Sequence, residues 1–238
     1  MTFLRSALFN AVFFGTTFAL SVYGIGLLIF APHRLAGLGT FWARLEMAAL
    51  RICCNIEISL TGREHLPAEG PALIASQHQS AFDTLVWLML VPRCSYVVKR
   101  ELLSIPLFGR LILPSRQIAV DRAAGATALR GMLRDVLAAV RDGRQIVIFP
   151  EGTRAPPGEL LPLQPGVVAL ASATRLPVLP VATDSGLCWS RRAFFKFPGT
   201  IHIAIQPPIP PGLPREALLE RLTQSLSGGA AALVRPCG

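Results

Sequence analysis

The N-terminal part of the chain is almost wholly apolar, whereas the rest alternates short apolar runs with amphipathic ones. Residues 7–31 contain no charged side chain, and residues 35–54 are apolar with a few charged positions between them. As a helix the first stretch is about 38 Å long, enough to cross a bilayer, and it exceeds the apolar core of a cleaved signal peptide. The second stretch is typical of a helix that lies in or re-enters the membrane interface. We therefore predict an uncleaved N-terminal membrane helical motif.

The pattern after residue 55 predicts a largely parallel sheet. Short apolar runs alternate with helical stretches, as in βαβ units. Residues 124–142 carry the most regular helical stripe of apolar side chains, and a terminal helix begins near Arg215. We expect an α/β fold in which a mostly parallel central sheet is flanked by helices, with the membrane motif in residues 1–55 and one domain in residues 56–238. The candidate strands are Ile56–Leu60, Ala72–Ala75, Ser95–Val98, Gln117–Val120, Ile146–Phe149, Val178–Ala182 and Ile201–Ile205.

The net charge and its distribution indicate which class of partner the protein binds. The net charge is +9, and its lysines and arginines are spread along the chain. Such a spread favours a membrane surface or an anionic substrate. We expect no nucleic-acid partner, because the sequence has no zinc-finger spacing, no aromatic and basic RNA motif and no basic recognition helix. Basic residues follow the apolar stretch while only Arg5 precedes it, so the positive-inside rule predicts a body facing the cytoplasm at the inner (cytoplasmic) membrane.

Cysteine and histidine positions indicate neither a disulfide framework nor a metal site. The five cysteines are odd in number and form no C-x-x-C pair. The four histidines are scattered along the chain, and among them His78 has a carboxylate at an informative spacing. We predict reduced cysteines and no bound metal.

A candidate general base follows the second predicted strand, in the segment His78-Gln-Ser-Ala-Phe-Asp83. Acyl transfer to an alcohol requires removal of the hydroxyl proton, and imidazole is the usual base. Residues five apart on a helix point about 140° apart, so contact between His78 and Asp83 requires an irregular turn. Given that turn, Asp83 accepts from Nδ1 and leaves Nε2 as the base.

Two other interpretations of this segment stay open. Asp83 is also a suitable helix N-cap, which would leave His78 incidental. Ser80 raises the possibility of a covalent acyl-serine, but no G-x-S-x-G motif surrounds it. We favour direct attack by the acceptor alcohol, with Ser80 as a turn residue.

A candidate phosphate site follows the fifth predicted strand, in the segment Phe149-Pro-Glu-Gly-Thr-Arg154. Gly152 and Thr153 can offer backbone N–H groups, and the guanidinium of Arg154 can bind a phosphate through two hydrogen bonds. Glu151 is a candidate partner for a glycerol hydroxyl. The alternative is an ordinary strand-exit turn with a surface arginine. Taken together, the two segments indicate acyl transfer to an alcohol that carries a phosphate.

Four blocks of the sequence resemble the 1-acylglycerol-3-phosphate O-acyltransferase family, in order and across nearly the whole chain. The first is the His-x4-Asp block of His78 and Asp83. The second runs from Lys99-x-Glu101-Leu to Pro106-x-x-Gly109 and on to Ile118-Ala-Val-Asp-Arg122. The third is the Phe149–Arg154 segment, and the fourth is the apolar stretch 176–182.

The resemblance implies a glycerolipid-acyltransferase-like domain in residues 56–238 with His78 as base and Asp83 as its partner. It implies phosphate and glycerol contacts from the third block and from Lys99 and Arg122. The implied reaction moves an acyl group from acyl-CoA or acyl carrier protein, a thioester co-substrate, to the 2-hydroxyl of 1-acylglycerol 3-phosphate, without a cofactor. The expected partners are a membrane lipid and acyl carrier protein. Alternatives are another acceptor, such as lyso-ornithine lipid, or a non-catalytic lipid-binding protein in the membrane.

Overall fold

The computed structural model describes residues 1–121 and 125–233. Every candidate strand is confirmed, with ends that move by at most two residues. The helices are α1 (Thr2–Phe30), α2 (Leu35–Cys54), α3 (Asp83–Leu90), α4 (Phe108–Ile112), α5 (Gly125–Arg141), α6 (Pro165–Thr174), α7 (Ser185–Cys188) and α8 (Arg215–Leu233). The strands are β1 (Ile56–Thr61), β2 (Ala72–Ser76), β3 (Cys94–Lys99), β4 (Ile118–Val120), β5 (Gln145–Ile148), β6 (Val178–Thr183) and β7 (Gly199–Ile205).

In this described part of the chain the strands form one seven-stranded sheet in the order β1-β7-β6-β2-β5-β3-β4. The neighbours from β6 to β4 pair in parallel, and β1 pairs in parallel with β7. Among the strand pairs of the described residues, only β6–β7 is antiparallel. The predicted α/β fold with a mostly parallel sheet is therefore confirmed, and β1 and β7 run against the other five strands.

The sheet is buried on both faces, which explains why its central strands are continuous apolar runs rather than alternating ones. All five residues of β2 and all four of β5 are buried. One face packs on α1, α2 and α3, and the other on α5, α6 and α8. In α5 the predicted stripe buries Met132 and Val136, whereas Leu129, near the start of the helix, is 38% exposed.

The two N-terminal helices form an antiparallel pair. Contacts run from Arg5 near Cys54 at one end to Leu27 near Leu35 at the other. The helix α1 is long and apolar enough to cross a membrane, and its outward side chains, such as Phe14 at 67% and Phe18 at 64%, are exposed. Such an apolar surface indicates membrane association.

The body contacts α1 near both of its ends. Ser6 bonds the backbone of Lys196, and Phe9 packs edge-on against Trp189. About two turns before the other end, Gly24 lies against the side chain of Leu111 in α4, where an added Cβ would come within 2.8 Å of Leu111 Cδ1. The helix therefore lies along the body for most of its length instead of projecting away from it.

Candidate active site

The candidate site lies at one edge of the sheet, where three neighbouring parallel strands end. The strand β2 lies between β5 and β6, so the segments that follow all three meet at the same edge. His78 comes two residues after β2, Phe149 directly after β5, and Asp184 directly after β6. Loops at the carboxyl ends of strands hold the binding sites of open α/β sheets. The fold thus brings both candidate segments together, with a third segment that sequence reasoning did not identify.

His78 and Asp83 are in contact across an irregular turn. His78 Nδ1 lies 3.1 Å from Asp83 Oδ2, and the same oxygen accepts hydrogen bonds from the backbone N–H groups of Gln79 at 2.7 Å and Ser80 at 2.8 Å. Asp83 begins α3 but caps none of its N–H groups with its side chain. Its carboxylate is turned back onto the preceding loop, which holds it for the imidazole rather than for the helix.

Four contacts connect His78 to the segment that follows β5. Its backbone N–H donates to Glu151 Oε2 at 3.0 Å, and its carbonyl accepts from Ala155 N–H at 2.7 Å. The imidazole stacks on the ring of Phe149 with centroids 4.1 Å apart. Arg154 Nε lies 3.3 Å from His78 Nε2. His78 is therefore held by backbone and side chain together, and its side chain is 12% exposed.

The partners of the imidazole define its tautomer. A guanidinium N–H can only donate, so His78 Nε2 accepts from Arg154 and carries no proton. Nδ1 then carries the hydrogen and donates it to Asp83. This tautomer, inferred from the hydrogen-bond partners, leaves Nε2 as a proton acceptor. The dyad thus has the arrangement that a general base requires.

Arg154 brings a positive charge to a half-buried position beside the base. Burial lowers the pKa of the Arg154 guanidinium; Asp83 opposes that effect, and the like charges of Arg191 and Arg192 add to it. A guanidinium remains charged at neutral pH even when its pKa is lowered. Arg154 is therefore an available cation for an anionic group that binds near Nε2.

Glu151 is a buried brace of the site, because its carboxylate holds two backbone segments together. The side chain is 2% exposed, and its two oxygens accept from the backbone N–H groups of His78 and Leu161, the latter at 3.3 Å. The contact with a glycerol hydroxyl that the sequence suggested stays a prediction. In the structure, the carboxylate joins the segment of His78 to the segment that follows β5. Burial raises the pKa of Glu151 to about 7, while the two backbone hydrogen bonds lower it and the charge of Asp83 raises it.

The raised pKa makes stability depend on pH. The folded state holds the Glu151 proton more tightly than the unfolded state. The protonated carboxyl therefore contributes to the free energy of unfolding, fully below pH 4.5, and this contribution is lost as pH rises through about 7. The free energy of unfolding should fall by up to ~3 kcal/mol between those values. Glu151→Gln should abolish this fall, as measured by denaturant midpoints in detergent from pH 5 to 8. The exposed Glu69→Gln is the control, and an unchanged pH dependence in Glu151→Gln would contradict the assignment.

Among the other predicted phosphate ligands, none that the structure describes forms a hydrogen bond with the imidazole of His78 as Arg154 does. Lys99 ends β3 at the same edge, but its side chain is exposed and forms no hydrogen bond or ion pair with any other described site residue. Gly152, at φ 71°, adopts a left-handed conformation that suits glycine, and its N–H donates to Phe149 O at 3.0 Å. Thr153 is half-buried beside it. Arg122 lies outside the described residues.

Ser185 is the site residue that the sequence did not reveal. It follows β6, is fully buried, and its hydroxyl donates to Asp83 Oδ1 at 2.7 Å. The neighbouring N–H of Gly186 donates to Gln79 Oε1 at 3.1 Å, so the segment is fixed to the loop before α3. In the sequence, the position of Ser185 just after a predicted strand is the signal that could have identified it as a site residue. Ser80 lies in the same loop with a buried hydroxyl that accepts from Phe82 N–H, consistent with a turn residue.

Comparison with known proteins shows which sequences the chain resembles. The sequence model of the family described as Acyltransferase matches residues 57–184, which include His78, Asp83 and the Phe149–Arg154 segment. Proteins named 1-acyl-sn-glycerol-3-phosphate acyltransferase match at 36% identity in Pseudomonas aeruginosa, over 70% of this chain and 64% of the relative, and at 31% in Limnanthes alba, over 75% and 63%. The matched segments thus span less than two thirds of those relatives.

The fold is also similar to a solved structure. The crystal structure of the 1-acyl-sn-glycerophosphate (LPA) acyltransferase PlsC from Thermotoga maritima matches with a TM-score of 0.80, and the match covers 100% of each chain. At 22% identity this likeness supports the fold alone. The family model, in contrast, matches more than half of the 238 residues, with His78 and Asp83 inside the match. The chain therefore belongs to the acyltransferase family.

Proposed function

We propose that this protein transfers a fatty acyl group from a thioester to the 2-hydroxyl of 1-acylglycerol 3-phosphate and so produces phosphatidate. The observation that carries the proposal is His78, held by Asp83 through Nδ1, with Arg154 directly beside Nε2. A base next to a cation suits an alcohol that carries a phosphate nearby. The names of the relatives support the same acceptor. We propose acyl-CoA or acyl carrier protein as the donor.

The reaction follows from the atoms around Nε2. His78 Nε2 takes the proton of the 2-hydroxyl as its oxygen attacks the thioester carbonyl, and a C–O bond forms. The resulting tetrahedral intermediate then collapses, breaking the C–S bond. The imidazolium returns its proton to the thiolate that leaves, and Asp83 stabilises the positive ring in between. The products are phosphatidate and a free thiol, and no covalent enzyme intermediate forms.

Arg154 has to move before this step. Its Nε occupies the lone pair of His78 Nε2 that the acceptor hydroxyl requires. A phosphate dianion attracts a guanidinium more strongly than a neutral imidazole does. The guanidinium can form two hydrogen bonds to the negatively charged phosphate, in place of one hydrogen bond to the neutral ring. We propose that the acceptor phosphate draws Arg154 away from the base as the hydroxyl takes its place. Binding of the correct acceptor thus prepares the base.

Arg154→Ala distinguishes this arrangement from a general loss of function. With 1-acylglycerol 3-phosphate, kcat/KM should fall roughly 10- to 150-fold, the usual effect of losing a hydrogen bond to a charged group. With monoacylglycerol, which has no phosphate, kcat/KM should stay equal or rise, because the base is no longer covered. Both rates are measured as thiol release in mixed micelles. The exposed Arg141→Ala on α5 is the control, and an equal fall for both acceptors would contradict the proposed role.

Membrane association places the site close to its lipid substrate. We propose that residues 1–55 hold the body, residues 56–238, against the cytoplasmic leaflet of the inner membrane. The contacts of α1 with the body near Ser6 and again near Gly24 support a helix that lies within one leaflet, since a helix held against the body near both of its ends cannot also cross a bilayer. A lysolipid acceptor then reaches His78 from the plane of the membrane.

A panel of acceptors and donors tests the function directly. Purified protein is given acyl-CoA or acyl carrier protein with 1-acylglycerol 3-phosphate, lyso-ornithine lipid or another lysophospholipid, and thiol release and lipid products are followed. We expect the highest kcat/KM with 1-acylglycerol 3-phosphate. Preference for lyso-ornithine lipid would replace the acceptor but keep the chemistry. No thiol release with any pair would favour a non-catalytic lipid-binding protein.

A further inference from the structure

The segment Arg191–Phe197, here called the aromatic loop, exposes an unusual amount of apolar surface. Its sequence is Arg-Arg-Ala-Phe-Phe-Lys-Phe, and it joins α7 to β7. The side chains of Phe194 and Phe195 are each 43% exposed, and that of Phe197 is 52% exposed. Clustered exposed aromatic side chains in a connecting loop mark a surface that contacts something other than water.

The aromatic loop is fixed to α1 by a buried lysine. The side chain of Lys196 is 2% exposed; its ammonium donates to Asn10 Oδ1 and to Phe194 O, and it lies 4.9 Å from the ring centre of Trp189. The backbone N–H of Lys196 donates to Ser6 Oγ at 2.9 Å. A buried ammonium needs such partners, so the loop has one preferred position. The phenylalanines are therefore held at a defined place beside α1.

The exposed surface of the aromatic loop is continuous with that of the membrane helix. The ring of Phe3 in α1 lies 5.3 Å from that of Phe194 and 6.4 Å from that of Phe195. Phe3 is 59% exposed and the adjoining Leu4 is 71% exposed. A lipid layer that covers these residues of α1 would also cover the phenylalanines of the loop.

The other end of the loop carries charge toward the active site. Arg191 and Arg192 are exposed, and within the described residues neither forms an ion pair. They follow α7, whose first residue, Ser185, donates to Asp83, and their charges act on Arg154, so they lie on the same side of the molecule as His78. Aromatic rings flanked by arginines suit the boundary between acyl chains and phosphate headgroups.

We infer that the aromatic loop is a second membrane-contact element, in which Phe194 and Phe195 enter the acyl-chain region beside α1 while Arg191 and Arg192 bind the phosphate groups of anionic phospholipids. The inference rests on the membrane location proposed above, and it adds a role for anionic lipid beside the active site. The surface would bring the entrance of the site to headgroup depth, where a lysolipid presents its phosphate and its free hydroxyl.

A tryptophan reporter tests the apolar contact without using catalysis. Phe195→Trp in the full chain is reconstituted in phosphatidylglycerol vesicles whose acyl chains are brominated near the headgroup. We expect its emission to be quenched beyond the background of the native tryptophans. Leu129→Trp, on α5 at the opposite face of the sheet, should show no added quenching. Equal quenching of both reporters, or none of either, would overturn the inference.

The arginines are tested with the same reporter. Arg191→Gln with Arg192→Gln is compared with Arg134→Gln and Arg141→Gln, exposed positions on α5 that remove equal charge. In phosphatidylglycerol vesicles the first pair should lower the ratio of quenched to unquenched reporter about 30-fold, because each arginine near an anionic surface contributes about fivefold. In phosphatidylcholine vesicles, and for the α5 pair in both, the ratio should stay constant. Equal losses in the two lipids would overturn the assignment to anionic lipid.

Kinetics separate membrane contact from acceptor binding. If the first pair instead raises KM for 1-acylglycerol 3-phosphate equally in both kinds of vesicle, the two arginines bind the acceptor phosphate and the inference for them is wrong. The quenching experiments need no acyl transfer. If Phe195→Trp is quenched as expected but neither this variant nor wild-type protein releases thiol, the proposed function is wrong and the membrane contact stands.

Discussion

His78→Ala is expected to lower kcat for acyl transfer by about 10²- to 10⁴-fold, the usual contribution of a positioned general base. Without Nε2 the acceptor hydroxyl keeps its proton as it attacks, and water in the half-buried site is a poor substitute. KM for the acceptor should change little, because the phosphate contacts proposed for Arg154 remain. The ratio of the two kcat values is obtained from thiol release from acyl-CoA, measured with purified wild-type protein and purified variant at saturating 1-acylglycerol 3-phosphate.

His202 offers a matched control for this change. It forms a similar pair, with Nδ1 2.7 Å from Asp184 Oδ2, but it is on β7, and its side chain is 36% exposed. His202→Ala should keep kcat within a few fold of wild type, since its backbone N–H still donates to Asp184 Oδ1. If His78→Ala retained turnover while folded, as judged by an unchanged melting temperature, the general-base mechanism would be wrong. Loss of turnover in both variants would point to a structural effect.

The sequence predicted the sheet well because its strands are buried on both faces. Runs such as 72–75 and 146–149 have few alternatives once a parallel sheet is assumed, and the structure places β2 and β5 there. The contact of His78 with Asp83 was also predictable, because both residues lie on one short turn. Local pattern thus determined the elements and the dyad.

The rest of the site depends on which strands are neighbours, and the local patterns of a single sequence do not reveal the order of the strands in the sheet. Ser185 reaches Asp83 only because β6 lies next to β2, although 102 residues separate the two along the chain. Glu151 similarly became a brace because β5 lies on the other side of β2. Its carboxylate accepts from backbone N–H groups that need partners in the buried turn, and its contact with a glycerol hydroxyl stays a prediction.

The buried lysine of the aromatic loop escaped prediction for a different reason. Lysine is almost never fully buried unless it is paired, so sequence reasoning assigns it to the surface. Lys196 is buried because Asn10 and loop carbonyls supply oxygen atoms and two aromatic rings cover it. Of those partners, Asn10 and the ring of Phe9 are near the N-terminus, far away in sequence. Only the folded arrangement of α1 against the loop reveals them.

Asp83→Asn is expected to lower kcat by about 10²- to 10⁴-fold with little loss of stability. The amide oxygen can take over the bonds from the backbone of Gln79 and Ser80 and from the imidazole, while the amide NH₂ donates to the hydroxyl of Ser185, which can accept. What is lost is the negative charge that stabilises the imidazolium. Turnover and thermal melting of the purified variant are measured together. A loss of turnover below tenfold would mean that the charge is dispensable.

Ser185→Ala separates positioning from charge at the same carboxylate. Asp83 keeps its charge but loses one of its four hydrogen bonds, so we expect kcat to fall by about tenfold or more, as for a hydrogen bond to a charged group. If Ser185 acts through Asp83, the same substitution should change kcat by less than about twofold in an Asp83→Ala background, because coupled residues are not additive. A full tenfold loss in that background would show that Ser185 acts on the substrate or the fold directly, and not by holding the partner of the base.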